Sequence, residues 1–175
     1  LTGTNSYTGG TVISGGTLAL GHATNTLADS GTILVNGGTL AVGTNSDSVG
    51  AITLSGGSIT GTSGVLSGSS YNVQSGNVSA ILGGSGALTK TTAGSVTLSG
   101  ANTFTGGTTV TVGTLNLGHA TNTLSDTGAV QINGGTLSIG SNNDTVGAVT
   151  LAGGNITGTT GTLSGSSFAL QNGAA

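Results

Sequence analysis

A chain of 175 residues with 37 glycines, four acidic side chains, one basic side chain and a net charge of −3 has little chemistry to work with. Cysteine, proline, methionine and tryptophan are absent and the only aromatics are two tyrosines and two phenylalanines, which excludes a disulfide framework and an aromatic-filled globular centre. The lone Lys90, with no arginine, excludes a basic nucleic-acid surface, and no stretch approaches the ~18–20 apolar residues of a membrane helix.

In chain order, L-T-G-T-N-S-Y-T-G-G-T at Leu1 leads into a first glycine corner, I-S-G-G-T-L at Ile13, which turns on Gly15 and Gly16. The loop G-H-A-T-N-T-L follows at Gly21. Ile33 and Val35 then recur with a period of two, the corner Asn36-Gly37-Gly38 intervenes, and Leu40 and Val42 resume that period. A period of two predicts strands. Helix is excluded because glycine recurs every few residues and β-branched Thr, Val and Ile dominate the remainder. The N-G-G and S-G-G steps tolerate positive φ at little steric cost, so the chain turns there without losing inward phase.

The beat continues with L-S-G-G-S-I at Leu54, carrying Gly56 and Gly57, and with a weaker V-Q-S-G-N-V at Val73. Gly16, Gly38, Gly57 and Gly76 mark its successive corners. A further coil near Gly94 leads to Gly113, and from Leu98 the sequence starts again: L-S-G-A-N-T-F-T-G-G answers L-T-G-T-N-S-Y-T-G-G at an ungapped offset of 97 residues (98 less 1). The second copy repeats the corner as Asn133-Gly134-Gly135, with Val130 and Ile132 before it and Leu137 and Ile139 after it. Periods of about 20 residues belong to solenoids. The reading is an all-β, right-handed parallel β-helix of about 19 residues per coil and about nine coils, a single unit over 1–175 with internal repeats 1–97 and 98–175, the second incomplete. Stacked at about 4.8 Å, nine coils make a rod of roughly 40–45 Å. Equivalent positions then lie over one another, so Ile33, Val35, Leu40, Val42, Val130, Ile132, Leu137 and Ile139 form aliphatic core ladders and Asn, Ser and Thr form polar ones.

The phrases at Leu1 and Leu98, each leading into G-T-L-x-L-G, resemble the passenger-associated transport repeat of bacterial autotransporters, directly over about Leu1–Gly21 and Leu98–Gly118. The intervening V-N-G-G-T-L coils are similar to the β-strand repeats that accompany it. The resemblance implies a parallel β-helix at a bacterial surface or secreted, in which the module helps the passenger fold during export and catalyses nothing. The signal peptide, polar capping coil and membrane barrel of such passengers are not seen, which leaves open a slice of a longer chain or a different export route.

Few residues are candidates for chemistry. His22 and His119 stand in matching loops five coils apart, about 24 Å, too far to share a metal. Asp29, Asp47, Asp126 and Asp144 likewise pair across the repeat. Each N-x-D offers one carboxylate where calcium wants six or more oxygens, so turn chemistry accounts for Asp47 and Asp144, and Asp47→Asn is expected to be nearly silent. Catalysis on a polysaccharide needs clustered carboxylates or a basic partner, and no G-x-S-x-G elbow is present. No catalytic residue, metal or cofactor is therefore expected. Tyr7, Phe104, Tyr71 and Phe168 are expected to pack at corners or to form surface contacts, and the Tyr/Phe swap between copies suggests that the hydroxyl is dispensable.

Three functional classes stand. The favoured one is a rigid, non-catalytic stalk of an extracellular, adhesin-like passenger at the bacterial cell surface. A self-assembling filament whose coils stack end to end or whose rods meet laterally is the second. A module binding carbohydrate, such as surface glycans, or ice is the third. In none does the segment bind nucleic acid or insert into a membrane.

Overall fold

The computed structural model describes residues 1–172. Among them there is no helix, and therefore none long and apolar enough to cross a membrane. Sixteen strands join one sheet in which every pairing is parallel. The chain is a β-solenoid, and one of its faces can be followed rung by rung through the strands Thr11–Ile13, Ile33–Gly43, Asp47–Gly61, Val65–Val73, Ala87–Lys90, Thr108–Val110, Val130–Ile132, Asp144–Leu151 and Leu163–Leu170.

Two ladders of side chains line the inside of this face. The first stacks Thr11, Ile33, Ile52, Tyr71, Leu88, Thr108, Val130, Val149 and Phe168. The second stacks Ile13, Val35, Leu54, Val73, Lys90, Val110, Ile132, Leu151 and Leu170. Nine rungs thus enclose eight turns, and five turns carry Ile13 to Val110, its counterpart one long repeat later. Ile33, Val35, Leu40, Val42, Val130, Ile132, Leu137 and Ile139 are all buried in one continuous core. Each such side chain contributes about 1.5–3 kcal/mol on burial, which the cost of ordering some 19 residues at about 1–2 kcal/mol apiece overwhelms unless neighbouring coils share their surfaces. Stability is cooperative along the stack for that reason.

The corners are held by glycine for two distinct reasons. Gly37, Gly57 and Gly76 have φ of 101°, 84° and 123°, a region costly for any side chain. Stacking adds the second reason: a Cβ at Gly57 would lie 2.1 Å from the carbonyl oxygen of Gly38, and one at Gly76 would lie 2.3 Å from that of Gly57. Gly56, Gly134 and Gly135 keep negative or extended φ, and a Cβ at Gly134 would meet Thr111 O at 2.8 Å. Gly16 has φ of 66°, whereas Gly15 and Gly16 face open space. Asn36 and Asn133 complete their corners; in the first copy the strand Ile33–Gly43 runs through the corner with its register shifted at Asn36.

One rung departs from the pattern. Lys90 occupies an aliphatic ladder position between Val73 and Val110 and is fully buried. Its corner, Thr91 to Ser95, is one residue longer than Asn36 to Thr39, and the register on the next face slips accordingly. There Leu18, Leu40, Ile59, Val78, Leu98 and Leu117 form one ladder, while Leu115, the sequence counterpart of Leu18, stacks on Val96 and Leu137. The ammonium answers one carbonyl of its own corner and one of the next coil's: Lys90 Nζ donates to Thr92 O and, at 3.3 Å, to Val112 O. Burial holds the Lys90 pKa below its ordinary value.

Two outcomes check this fold. Val35→Asp, which strands a charge in a ladder, should cost about 3–5 kcal/mol and melt neighbouring coils, whereas Val12→Asp, on the outward-facing neighbour of Ile13, should leave circular dichroism and melting unchanged. Because Lys90 provides the chain's single Lys/Arg bond, trypsin should spare the native protein and cut it into two pieces only on unfolding. Rapid native cleavage would show that rung to be open.

Candidate functional site

On the third side of two coils the strand ladder is interrupted by the G-H-A-T-N-T-L loops at Gly21 and Gly118, and side chains take over the pairing of backbone groups. The loop's Asn25 and its counterpart Asn122 hold φ of 55° and 58°, the only non-glycine residues with positive φ among those described, a conformation asparagine tolerates better than most. The turn presents backbone groups of Thr26 and Leu27 to its neighbours, and each is met. From one side Asn5 Nδ2 donates to Thr26 O at 2.7 Å. From the other, Asp47 Oδ2 accepts from Thr26 N–H at 2.9 Å and Leu27 N–H at 2.7 Å, while Oδ1 accepts from Ser48 N–H at 2.9 Å. The second copy repeats the clamp. Asn102 Nδ2 donates to Thr123 O at 2.7 Å, its Oδ1 accepts from Leu82 N–H at 2.9 Å, and Asp144 Oδ2 accepts from Leu124 N–H at 2.9 Å.

These contacts revise the expectation that Asp47 does ordinary turn chemistry. Asp47 and Asp144 are buried carboxylates serving as acceptors for a neighbouring coil, while Asp29 and Asp126 are exposed. Asp47 has its charge answered by three N–H groups. Asp144 is served less well: Oδ1 is buried without a hydrogen-bond partner, and burial, aided by repulsion from Asp126, pushes its pKa up to about 6 against the attraction of backbone N–H groups. His22 and His119 fold back on their own loops, Nδ1 of His22 lying 2.6 Å from Thr24 O and that of His119 against Thr121 O. Among the described residues no three His or acidic side chains converge as a metal cage.

The aromatic residues also need correction. Tyr71 and Phe104 are buried, their ring centroids 5.9 Å apart at 50°, so neither is a surface contact. The Tyr71 hydroxyl is engaged, accepting from Gly68 N–H at 2.6 Å and sharing its proton between the carbonyls of Gly83 and of Leu66, the latter at 3.0 Å. It is not dispensable there, and burial pushes its pKa up. Phe168 occupies the same ladder position as Tyr71 on the last described rung, where it is exposed. Tyr7 lies at the surface with its hydroxyl 2.8 Å from Thr11 Oγ1.

The clamp escaped the sequence reading, although a signal existed. Asn5/Asn102 and Asp47/Asp144 are identical between copies while their neighbours change, Thr4 to Ala101, Ser6 to Thr103, Ser46 to Asn143 and Ser48 to Thr145.

The solenoid defines the class of protein, and comparison adds a family. The family model of the passenger-associated-transport-repeat matches residues 1–20 and 88–117. The two matched segments are similar to this autotransporter passenger repeat, and in each the clamp asparagine, Asn5 or Asn102, falls within the match. A secreted or cell-surface location is what that family implies. No curated protein and no solved structure matches the chain.

The two clamps respond differently to substitution. Asp47→Asn cannot accept from Thr26, Leu27 and Ser48 together, because its amide NH₂ would face one of these donors; it should lower stability by about 1–3 kcal/mol, read from denaturant titration, against no change for Asp29→Asn. Asp144 has the opposite pH behaviour from a well-paired carboxylate. Its folded pKa of about 6 lies above the ordinary 3.8, so the folded state binds the proton more tightly and the carboxylate costs stability above pH 6. In metal-free buffer, Asp144→Asn should therefore be the more stable protein at pH 7.5, with the difference shrinking as pH falls through 6 toward 4.

Proposed function

We propose that the chain is a rigid, non-catalytic spacer within the passenger of an autotransporter-like bacterial surface protein, one that sets the distance between the cell and whatever the passenger presents. The observation that carries this reading is the uninterrupted core: nine parallel rungs with buried ladders running through both passenger repeats without a gap. Side-chain usage supports it. The buried carboxylates accept backbone N–H groups, the one ammonium donates to backbone carbonyls, and the polar residues of the third side splice coils together. Side chains committed in this way hold a rod stiff.

Export suits the same design. Each coil closes on its neighbour, so a chain emerging progressively can gain stability coil by coil, and the Asn5 and Asn102 clamps fasten a loop one coil further along. Partners of such a rod are adjoining coils and neighbouring rods.

The test is length. Inserting one further 97-residue repeat in phase into the surface-displayed protein should add about 24 Å to its reach, measured by electron microscopy or by energy transfer from a tip label to a membrane dye, with β-sheet circular dichroism retained. An unchanged reach, or rods that fold back, would contradict the spacer reading.

A further inference from the structure

Asparagine followed by glycine is the dipeptide in which a backbone nitrogen most readily attacks a side chain, because the glycine has no Cβ to hinder the approach of its N to the asparagine Cγ. The pair occurs at Asn36-Gly37, Asn133-Gly134 and Asn172-Gly173, the last of which extends outside the described residues. The first two are counterparts at the 97-residue offset in nearly the same context, V-N-G-G-T-L against I-N-G-G-T-L. Both asparagines are exposed to water.

The fold treats these two corners differently. Asn36 lies within the continuous strand Ile33–Gly43 and pairs with Gly56, and its Oδ1 accepts from Ser55 Oγ at 3.3 Å. Asn133 and Gly134 fall instead in the gap between the strands Val130–Ile132 and Thr136–Gly140. Ala152 stands where the first copy has Ser55, so the hydroxyl that holds the Asn36 side chain has no equivalent. Among the described residues the Asn133 side chain makes no hydrogen bond and the Gly134 N–H donates none. Ring closure needs the amide to swing over its own backbone and the next N–H to be free. The second corner leaves both groups free, whereas the first holds its asparagine in the sheet.

We propose that Asn133-Gly134 is a site of spontaneous self-modification, converting to aspartate and isoaspartate in the folded protein while Asn36-Gly37 is protected. Gly134 N forms a bond to Asn133 Cγ and gives its proton to water, and Asn133 Nδ2 leaves as ammonia. The resulting succinimide takes up water, opening to aspartate when water enters at Cγ and to isoaspartate when it enters at the Asn133 backbone carbonyl. Net, water is consumed and ammonia released. Either product puts a carboxylate on an exposed corner. Isoaspartate also adds a methylene to the backbone beside Gly153, where a Cβ would already lie 2.8 Å from Asn133 O. The second repeat therefore diverges from the first with time.

Peptide mapping of the whole chain after incubation at mildly alkaline pH tests this, with fragmentation assigning the amide-to-acid mass gain to each asparagine. In the native protein Asn133 should convert at least about tenfold faster than Asn36, whose reaction waits on local opening of its strand. In denaturant, where the two contexts are alike, the rates should converge. Asn133→Gln, whose longer side chain closes a ring far more slowly, should remove the fast phase and keep the β-sheet circular dichroism. A native Asn133 that converts no faster than Asn36, a difference that persists in denaturant, or a fast phase that survives in Asn133→Gln would each overturn the proposal. The result is independent of the length measurement, so the spacer reading and this one can fail separately.

Discussion

Parallel stacking of backbone on backbone is the constraint from which the rest of this molecule follows. When each strand bonds to the coil before and the coil after, a residue that points inward on one rung sits on an inward residue of the next. A ladder position is therefore chosen for its neighbours one coil away in either direction as much as for itself. Small aliphatics satisfy that demand over nearly the whole length, which is why so few aromatic residues suffice. Corners obey the same rule: Gly57 is glycine because of its φ and also because a carbonyl of the preceding corner occupies the space a Cβ would need.

The third side shows what happens where the strand ladder lapses. The G-H-A-T-N-T-L loop cannot stack as a strand, so Asn and Asp from the adjoining coils bond its backbone groups. These clamps let an irregular loop sit inside a regular array without leaving buried N–H groups unanswered. Lys90 is a variation on that solution. An ammonium on a long aliphatic stem fills the ladder with its methylenes, while its head answers a carbonyl of its own corner and one of the next coil's. The chain thus combines a repetitive core with a few polar splices that keep the register.

What could be read from the sequence was whatever repeats. Strand phase, corner glycines, the long period and the coil length all recur, and Val35 and Ile132 could be assigned inward because each stands two residues from another aliphatic residue, just before its corner. The singular features were opaque. Lys90 has no counterpart at the 97-residue offset within the chain, so periodicity was silent about it. Asp47 looked like a turn residue because its donors, Thr26 N–H and Leu27 N–H, lie one coil earlier. Tyr71 and Phe168 appeared interchangeable since the pattern records polarity and size, while the need for the hydroxyl arises from the carbonyls of Leu66 and Gly83, contacts invisible to alternation.

If coils are interchangeable modules bonded to their neighbours, a whole one can be taken out and a fraction of one cannot. The most direct measurement is thermal melting, followed by circular dichroism, of two deletions. One removes residues 55–73, the single coil that leads from Leu54 to its matched ladder position Val73; the other removes residues 55–64, which throws every later rung out of phase. The stacking account predicts that the first protein keeps its β-sheet spectrum and a cooperative melt somewhat below that of the parent, and that the second loses both. Equal behaviour of the two would contradict it.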